Sequence, residues 1–181
     1  GAQLVQRYAV VGQADPLRTK AGIKVRYVVA NPSSYLYFSD DRPTAEGSFA
    51  SFKSASCPSF NRWKYGWIGA PVYAQESSPA AYEKSYALRE VIYLLGTADS
   101  DPNHPSLDRS CAGEAEGPNR YARGLAYVRY LRMRHPTGLN HRLWEVSGVG
   151  HEGDRMLTSP CGLAALFDRP GCAASYSQRP Q

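Results

Sequence analysis

The 181-residue chain lacks the patterns that define several classes of protein. No segment approaches the ~18 consecutive apolar residues that cross a bilayer, so the sequence predicts no membrane span. The chain contains no CxxC pair and no Cys/His group with zinc-finger spacing, which argues against a metal site. No internal repeat is visible, which argues against a repeat architecture, and nothing in the sequence indicates a cofactor.

A tract of basic residues is missing as well, although the formal net charge is +5. The basic residues are scattered along the chain, so the sequence argues against a nucleic-acid partner. A cluster does occur at Arg129, Arg132, Arg134 and His135. It lies at the end of a predicted helix, where the helix dipole favours cations whatever the protein does.

Cysteine is scarce, with four residues at Cys57, Cys111, Cys161 and Cys172. An even number in loop-like contexts indicates two disulfides and an oxidising compartment, so we expect a secreted, periplasmic or cell-envelope protein. Free buried thiols are the alternative. Among the three possible connectivities we favour Cys57–Cys111 with Cys161–Cys172, because the second pair closes a short local loop. The sequence alone leaves the other two connectivities open.

Helical and strand patterns alternate along the chain. Leu4, Val5, Tyr8 and Val11 form the apolar stripe of an opening helix. Three apolar stretches, "IKVRYVVAN", "EVIYLLG" and "HRLWEVSGVG", have the composition of buried strands and are separated by further helical patterns. This order is typical of an α/β fold in which crossover helices join parallel strands.

The chain length suits one domain, which we place at 1–170, followed by a disordered tail at 171–181. We expect a connector at 13–22 and one short helix at 156–167. Residues 32–75 form an aromatic-rich excursion far longer than an ordinary loop. Its aromatic residues predict either a satellite core under the loop or the wall of a substrate cleft.

Polar residues follow each predicted strand, where ligands of an open parallel sheet bind. They are Asn31, Ser33, Ser34 and Tyr35 after the first strand, Asp99 and Asp101 after the second, and His151 after the third. A carboxylate and an imidazole on neighbouring strand ends can pair through Nδ1–H, which leaves Nε2 free as a base. The sequence therefore predicts a pair of Asp99 and His151, with Asp101 as the alternative acid.

A nucleophile for this pair is missing from the chain. Ser33 and Ser34 precede no helix, and no Gly-x-Ser-x-Gly motif occurs. In α/β-hydrolases that motif forms a sharp strand-to-helix turn that carries the serine. The opening helix has no residue of the usual N-cap type. We therefore expect Gly1 to be the last glycine of such a motif, with the serine two residues upstream.

The whole chain resembles the C-terminal half of an α/β-hydrolase. It is most similar to secreted or envelope-associated members that read GHSAGGQ-x-VQRYA at this turn. The matching stretches are "GAQLVQRYA", "ANPSSYLYF", "FNRWKYG", "YLLGTAD" and "GVGH", in that order from Gly1 to about Asp168. The resemblance implies a partial parallel-sheet α/β-hydrolase fold at 1–170, comprising the sixth to eighth strands of the family, their flanking helices and a long cap-like loop.

The resemblance also implies a function. Asp99 would be the acid and His151 the base of a catalytic triad in a secreted serine hydrolase that acts on carboxylic esters. The substrate would be a small-molecule or polymeric ester. The serine, the oxyanion-hole donors and the first five strands would lie in a missing N-terminal half, which is the expected partner. The isolated chain is expected to be inactive.

The residues after the first strand admit two roles. Asn31, Ser33, Ser34 and Tyr35 are expected to line the substrate pocket, because they follow a strand end beside the expected nucleophile. Alternatively they form a turn whose hydroxyls bond to the local backbone. A competing hypothesis for the whole chain is a binding or structural module that keeps the hydrolase scaffold without catalysis. A disulfide-linked, lectin-like protein is a more remote alternative.

Overall fold

The structure is a computed structural model that describes residues 1–172. The predicted tail at 171–181 therefore lies outside the described residues from 173 onward. The helices are α1 Ala2–Val11, α2 Asp15–Ala21, α3 Pro79–Leu88, α4 Cys111–Glu114, α5 Arg120–Arg134, α6 Gly153–Thr158 and α7 Pro160–Phe167. The strands are β1 Arg26–Ala30, β2 Asp41–Pro43, β3 Phe49–Ser51, β4 Glu90–Gly96 and β5 His141–Val146.

The three apolar stretches form one parallel sheet in the order β1-β4-β5. β4 lies in the middle, and five of its central residues, Val91 to Leu95, are fully buried. This explains why the stretch contains no polar residue that alternates with apolar ones. The predicted α/β class with a parallel sheet is confirmed. No helix among residues 1–172 is long and apolar enough to cross a membrane.

Three local features differ from the sequence expectation. The expected connector contains helix α2, which ends at Gly22 in the left-handed conformation (φ 65°) that glycine adopts without strain. The last helical stretch is two helices, because Pro160 disfavours helical geometry at Ser159, whose hydroxyl caps α7 instead. The excursion contains an antiparallel ribbon of β2 and β3.

The first part of the excursion is an irregular segment, residues 35–38, that lies in the core. Its backbone groups find side-chain partners instead of strand partners. The N–H of Tyr35 donates to Glu116 Oε2 at 2.8 Å, and the N–H of Phe38 donates to the Tyr130 hydroxyl at 3.0 Å. The Tyr127 hydroxyl donates to the carbonyl of Leu36 at 2.9 Å. Buried backbone groups need such partners, which explains why polar tyrosines occupy this core.

Tyrosine rings fill the space between the sheet and the helices. Those at most 1% exposed are Tyr35, Tyr37, Tyr86, Tyr93, Tyr127 and Tyr130. The Tyr35 ring stacks on Tyr127 with centroids 4.5 Å apart, and Trp67 stacks on Tyr82 at 5.5 Å. Most aromatic side chains of the excursion therefore pack against the main core. Phe52, Phe60 and Tyr65 instead form a small satellite core with Cys57 and Ala112, so the predicted satellite core is confirmed for this part of the excursion.

Both disulfides connect loops to helices. Cys57 in the excursion is bonded to Cys111 at the start of α4, and Cys161 in α7 is bonded to Cys172. The favoured connectivity is confirmed. The first bond fixes the middle of the excursion beside the loop that follows β4, and thus beside the carboxyl edge of the sheet.

His141 is the first residue of β5, so it lies at the amino-terminal ends of the strands, opposite their carboxyl ends. Its side chain is buried. Its Nε2 lies 2.8 Å from the carbonyl oxygen of Tyr86, and its ring packs edge-on against the Tyr86 ring at 4.5 Å. Burial lowers the pKa of His141 from 6.5 to about 4. The imidazole is therefore neutral in the folded protein at neutral pH.

We predict that His141 destabilises the protein as the pH falls from 6.5 to about 4. In this range the unfolded chain binds a proton at His141 and the folded chain does not, so acidification favours unfolding. Urea unfolding at both ends of the range compares wild type with His141→Gln. The difference in free energy of unfolding between wild type and variant should shrink at low pH. A difference that is independent of pH would contradict the assignment.

Candidate active site

Two turns at the carboxyl edge of the sheet are hydrogen-bonded to each other. After β4, the N–H of Thr97 donates to the carbonyl of Val146 at 3.1 Å, and the N–H of Ala98 donates to that of Val149 at 3.0 Å. Gly96 is required at the start of the first turn, because a Cβ there would lie 2.2 Å from the Val149 carbonyl oxygen. These contacts bring the residues after β4 and β5 together.

Asp99 and His151 meet at this junction. Asp99 Oδ2 lies 3.0 Å from Nδ1 of His151. Asp99 is 3% exposed, whereas the His151 side chain is 34% exposed. The carboxylate accepts the Nδ1–H, so the lone pair of the neutral imidazole is on Nε2. Within residues 1–172, Nε2 has no hydrogen-bond partner. An imidazole held by a carboxylate in this way can accept a proton at Nε2.

Asp101, the alternative acid, lies elsewhere. It is exposed, and its Oδ1 accepts the N–H of Asn103 at 2.8 Å within its own loop. The structure thus brings Asp99, and not Asp101, to the imidazole.

Arg120 is a third member of the site that the sequence reasoning missed. Its side chain is fully buried, and Nη1 donates to Asp99 Oδ1 at 3.2 Å. Its Nε donates to the Ser33 hydroxyl at 2.8 Å. A signal for it existed, because Arg120 is the first residue of α5, directly after the N-cap Asn119. The helix dipole disfavours a cation at that position, so its presence needs a nearby anion.

Asn31 holds the carboxyl edge together. It has left-handed backbone geometry (φ 46°), which asparagine tolerates better than most residues, and it is 4% exposed. Its Oδ1 accepts the N–H of Gly96 at 2.9 Å, and its Nδ2 donates to the carbonyl of Gly150 at 3.0 Å. One side chain therefore connects the ends of β1 and β4 to the residue before His151.

The sequence matches no family model and no curated protein. The solved structures that resemble the fold include two hydrolases. LpqC, a poly(3-hydroxybutyrate) depolymerase from Bordetella parapertussis, superposes with a TM-score of 0.65 and 20% identity, over 96% of this chain and 49% of its own. Poly(aspartic acid) hydrolase-1 from Sphingomonas sp. KT-1 superposes with a TM-score of 0.56 and 23% identity. The match covers 86% of this chain and 48% of that protein.

The fold of this chain is thus similar to that of part of each of these two hydrolases. At these identities the likeness concerns the fold alone. This chain spans about half the length of either structure.

The other residues after β1 lie at different depths in the fold. Ser33 is half-buried beside Arg120. Ser34 is 1% exposed and accepts a hydrogen bond from Gln3 Nε2 at 2.6 Å. Tyr35 is 1% exposed and belongs to the tyrosine core. Asn31 adjoins a pocket of about 110 Å³ that is also lined by His151 and Met156.

Charged groups beneath the site are strongly perturbed by burial. Burial raises the pKa of Glu116 to about 8, and the nearby Arg42 and Arg123 oppose this shift. Glu116 is fully buried, and its Oε2 accepts the N–H of Tyr35. Among residues 1–172, no group of three or more His, Cys, Asp or Glu side chains could hold a metal ion.

We predict that Arg120→Met lowers the free energy of unfolding by ~3–5 kcal/mol, because it leaves Asp99 with a buried charge that is only partly paired. Arg129→Met is the matched control, since Arg129 is exposed on the same helix. Urea unfolding measures both variants. Equal stability of the two variants would show that the buried ion pair is not important for the fold.

Proposed function

We propose that this chain supplies the acid and the base of a serine hydrolase that acts on carboxylic esters by acyl transfer. The proposal rests on one observation, the hydrogen bond between Asp99 and His151 Nδ1 at the carboxyl ends of two adjacent parallel strands. An imidazole held in this way has its Nε2 free to accept a proton. The hydrolase-type scaffold supports this class of reaction.

In the proposed reaction a serine hydroxyl from outside this chain attacks the ester carbonyl. His151 Nε2 takes the hydroxyl proton as the C–O bond forms, and Asp99 stabilises the imidazolium. The imidazolium then gives this proton to the alkoxide oxygen as the ester bond breaks. A water molecule attacks the acyl-enzyme, with His151 again accepting a proton and returning it to the serine. The products are one carboxylic acid and one alcohol.

We also propose that the serine and the oxyanion donors come from an N-terminal half of the same domain. The superposed structures are about twice as long as this chain. Among the described residues, β1 pairs only with β4, and an unpaired edge invites another strand. The neighbouring α1 exposes 66% of Leu4 and 53% of Tyr8, whose ring lies 6.2 Å from that of Tyr27 in β1. An additional strand and helix would cover both surfaces.

The substrate class in this proposal is an ester, either a small molecule or a polyester. One of the superposed structures is named as a depolymerase of poly(3-hydroxybutyrate), which favours testing polyesters early. The two disulfides support a secreted, periplasmic or envelope location, because such bonds persist in oxidising compartments.

We predict that the chain extended by its natural upstream sequence hydrolyses p-nitrophenyl acetate and reacts with a fluorophosphonate probe. His151→Gln should abolish both activities, and Asp99→Asn should lower kcat by about 10⁴-fold. Asp101→Asn is the matched control and should keep full activity. The isolated chain should show no turnover that depends on Asp99 and His151. A folded extended protein without either activity would favour a non-catalytic module on the same scaffold.

We predict that Leu4→Asp changes the free energy of unfolding of the isolated chain by less than ~0.5 kcal/mol, because Leu4 is exposed there. In the extended protein the same change should cost ~2 kcal/mol or more, since the N-terminal half would bury this side chain. Met133→Asp, at another exposed apolar position, should have the same small effect in both. An equal effect of Leu4→Asp in the two proteins would contradict the proposed cover.

A further inference from the structure

A second imidazole, that of His104, lies beside His151. The two ring centroids are 5.4 Å apart, and the ring planes meet at 72°. Nδ1 of His104 accepts the N–H of Ser106 at 3.2 Å, so the neutral ring carries its proton on Nε2. Nε2 has no hydrogen-bond partner within residues 1–172. An unused N–H donor therefore lies next to the base.

The loop that carries His104 is held in place from both sides. The N–H of Leu107 donates to the His104 carbonyl at 2.9 Å, and Leu107 is buried. The Ser33 hydroxyl lies 3.4 Å from the carbonyl oxygen of Ser106, which connects the loop to the end of β1. A donor on a loop constrained in this way pays little ordering entropy when it binds a ligand.

Asp108 anchors the far end of the same loop to the excursion. It accepts hydrogen bonds from the Tyr65 hydroxyl at 2.7 Å and pairs with Lys64 at 3.0 Å. Burial opposes ionisation of this carboxyl, but the hydrogen bonds from Tyr65, Ser110 and Lys64 lower its pKa to about 2. The Cys57–Cys111 disulfide closes the connection three residues later. The position of His104 is thus determined by the fold rather than by its own loop alone.

The proposed reaction, on which this inference rests, indicates which part of the ester lies near His104. The alcohol oxygen of the ester takes its proton from His151 Nε2, so the alcohol portion of the substrate must lie against His151. A group that packs on the ring of His151 is within reach of that portion. A free N–H there binds an oxygen acceptor and gains nothing from a plain hydrocarbon.

We infer that His104 is a substrate-binding residue whose Nε2–H donates to a carbonyl oxygen in the alcohol portion of the ester. Esters of hydroxy acids carry such a carbonyl a few bonds from the alcohol oxygen, whereas esters of simple alkanols do not. His104 therefore makes the site selective for esters of hydroxy acids over esters of alkanols of the same shape.

Two esters with the same acyl group test this inference in the extended protein. Methyl 3-(butyryloxy)butanoate carries the carbonyl, and sec-butyl butyrate has the same branching without it. His104→Phe keeps a ring against His151 but removes the donor, and it should lower kcat/KM about fivefold for the first ester only. His104→Gln restores an N–H at similar reach and should recover most of the loss. Equal losses on both esters, or no loss on either, would overturn the inference.

A binding measurement separates this inference from the proposed function. The ¹⁵N resonance of His104 Nε2 is followed in the slow Asp99→Asn variant of the extended protein during titration with each ester. The carbonyl-bearing ester should shift it and sec-butyl butyrate should not. A selective shift in the variant, together with a wild-type extended protein that hydrolyses neither ester, would refute the proposed function and support the contact. No selective shift in an active enzyme would refute the contact alone.

Discussion

The geometry of the site depends on one buried amide, that of Asn31. Its oxygen and its nitrogen bond to the ends of two different chain segments, at Gly96 and at Gly150. Parallel strands end at the same edge of a sheet, but the hydrogen bonds between the strands do not determine the positions of the turns that follow them. The amide joins those turns through one acceptor and one donor, which a carboxylate of the same size does not offer. The 3.0 Å contact of Asp99 with His151 is built on this junction.

The Asp99 carboxylate is divided between two cationic or potentially cationic partners. Arg120 donates to Oδ1, and His151 contacts Oδ2. A buried carboxylate is costly unless it is paired, so the arginine permits a fully buried acid. This leaves the imidazole as the more exposed partner, with its second nitrogen directed away from the acid. Burial of the acid and accessibility of the base are two parts of one arrangement.

The excursion connects the tyrosine core to the loop beside the site. Its first residues are buried without belonging to a strand, and tyrosine hydroxyls and Glu116 satisfy their backbone groups. The same excursion continues to Tyr65 and Cys57, which hold the loop of His104. A continuous series of contacts therefore connects the aromatic core to the edge of the site. A change in the packing of the tyrosines is expected to alter the position of the loop beside His151 as well.

The sequence by itself determined the elements whose chemistry is local. The three apolar strands and the parallel class follow from runs of residue types and from their order. The sequence favoured Asp99 with His151 and the observed disulfides but left Asp101 and the other two connectivities open, and the structure decided between them. Tertiary structure decided the contacts of the other site residues, because those contacts involve partners distant in sequence. Arg120 reaches Asp99 across 21 residues, and Glu116 meets Tyr35 across 81. The burial of Ser34 and Tyr35, expected at the pocket, likewise arises because α5 packs tyrosines against that segment. A sequence pattern records which residues are polar, but only the folded chain decides which of them face the site.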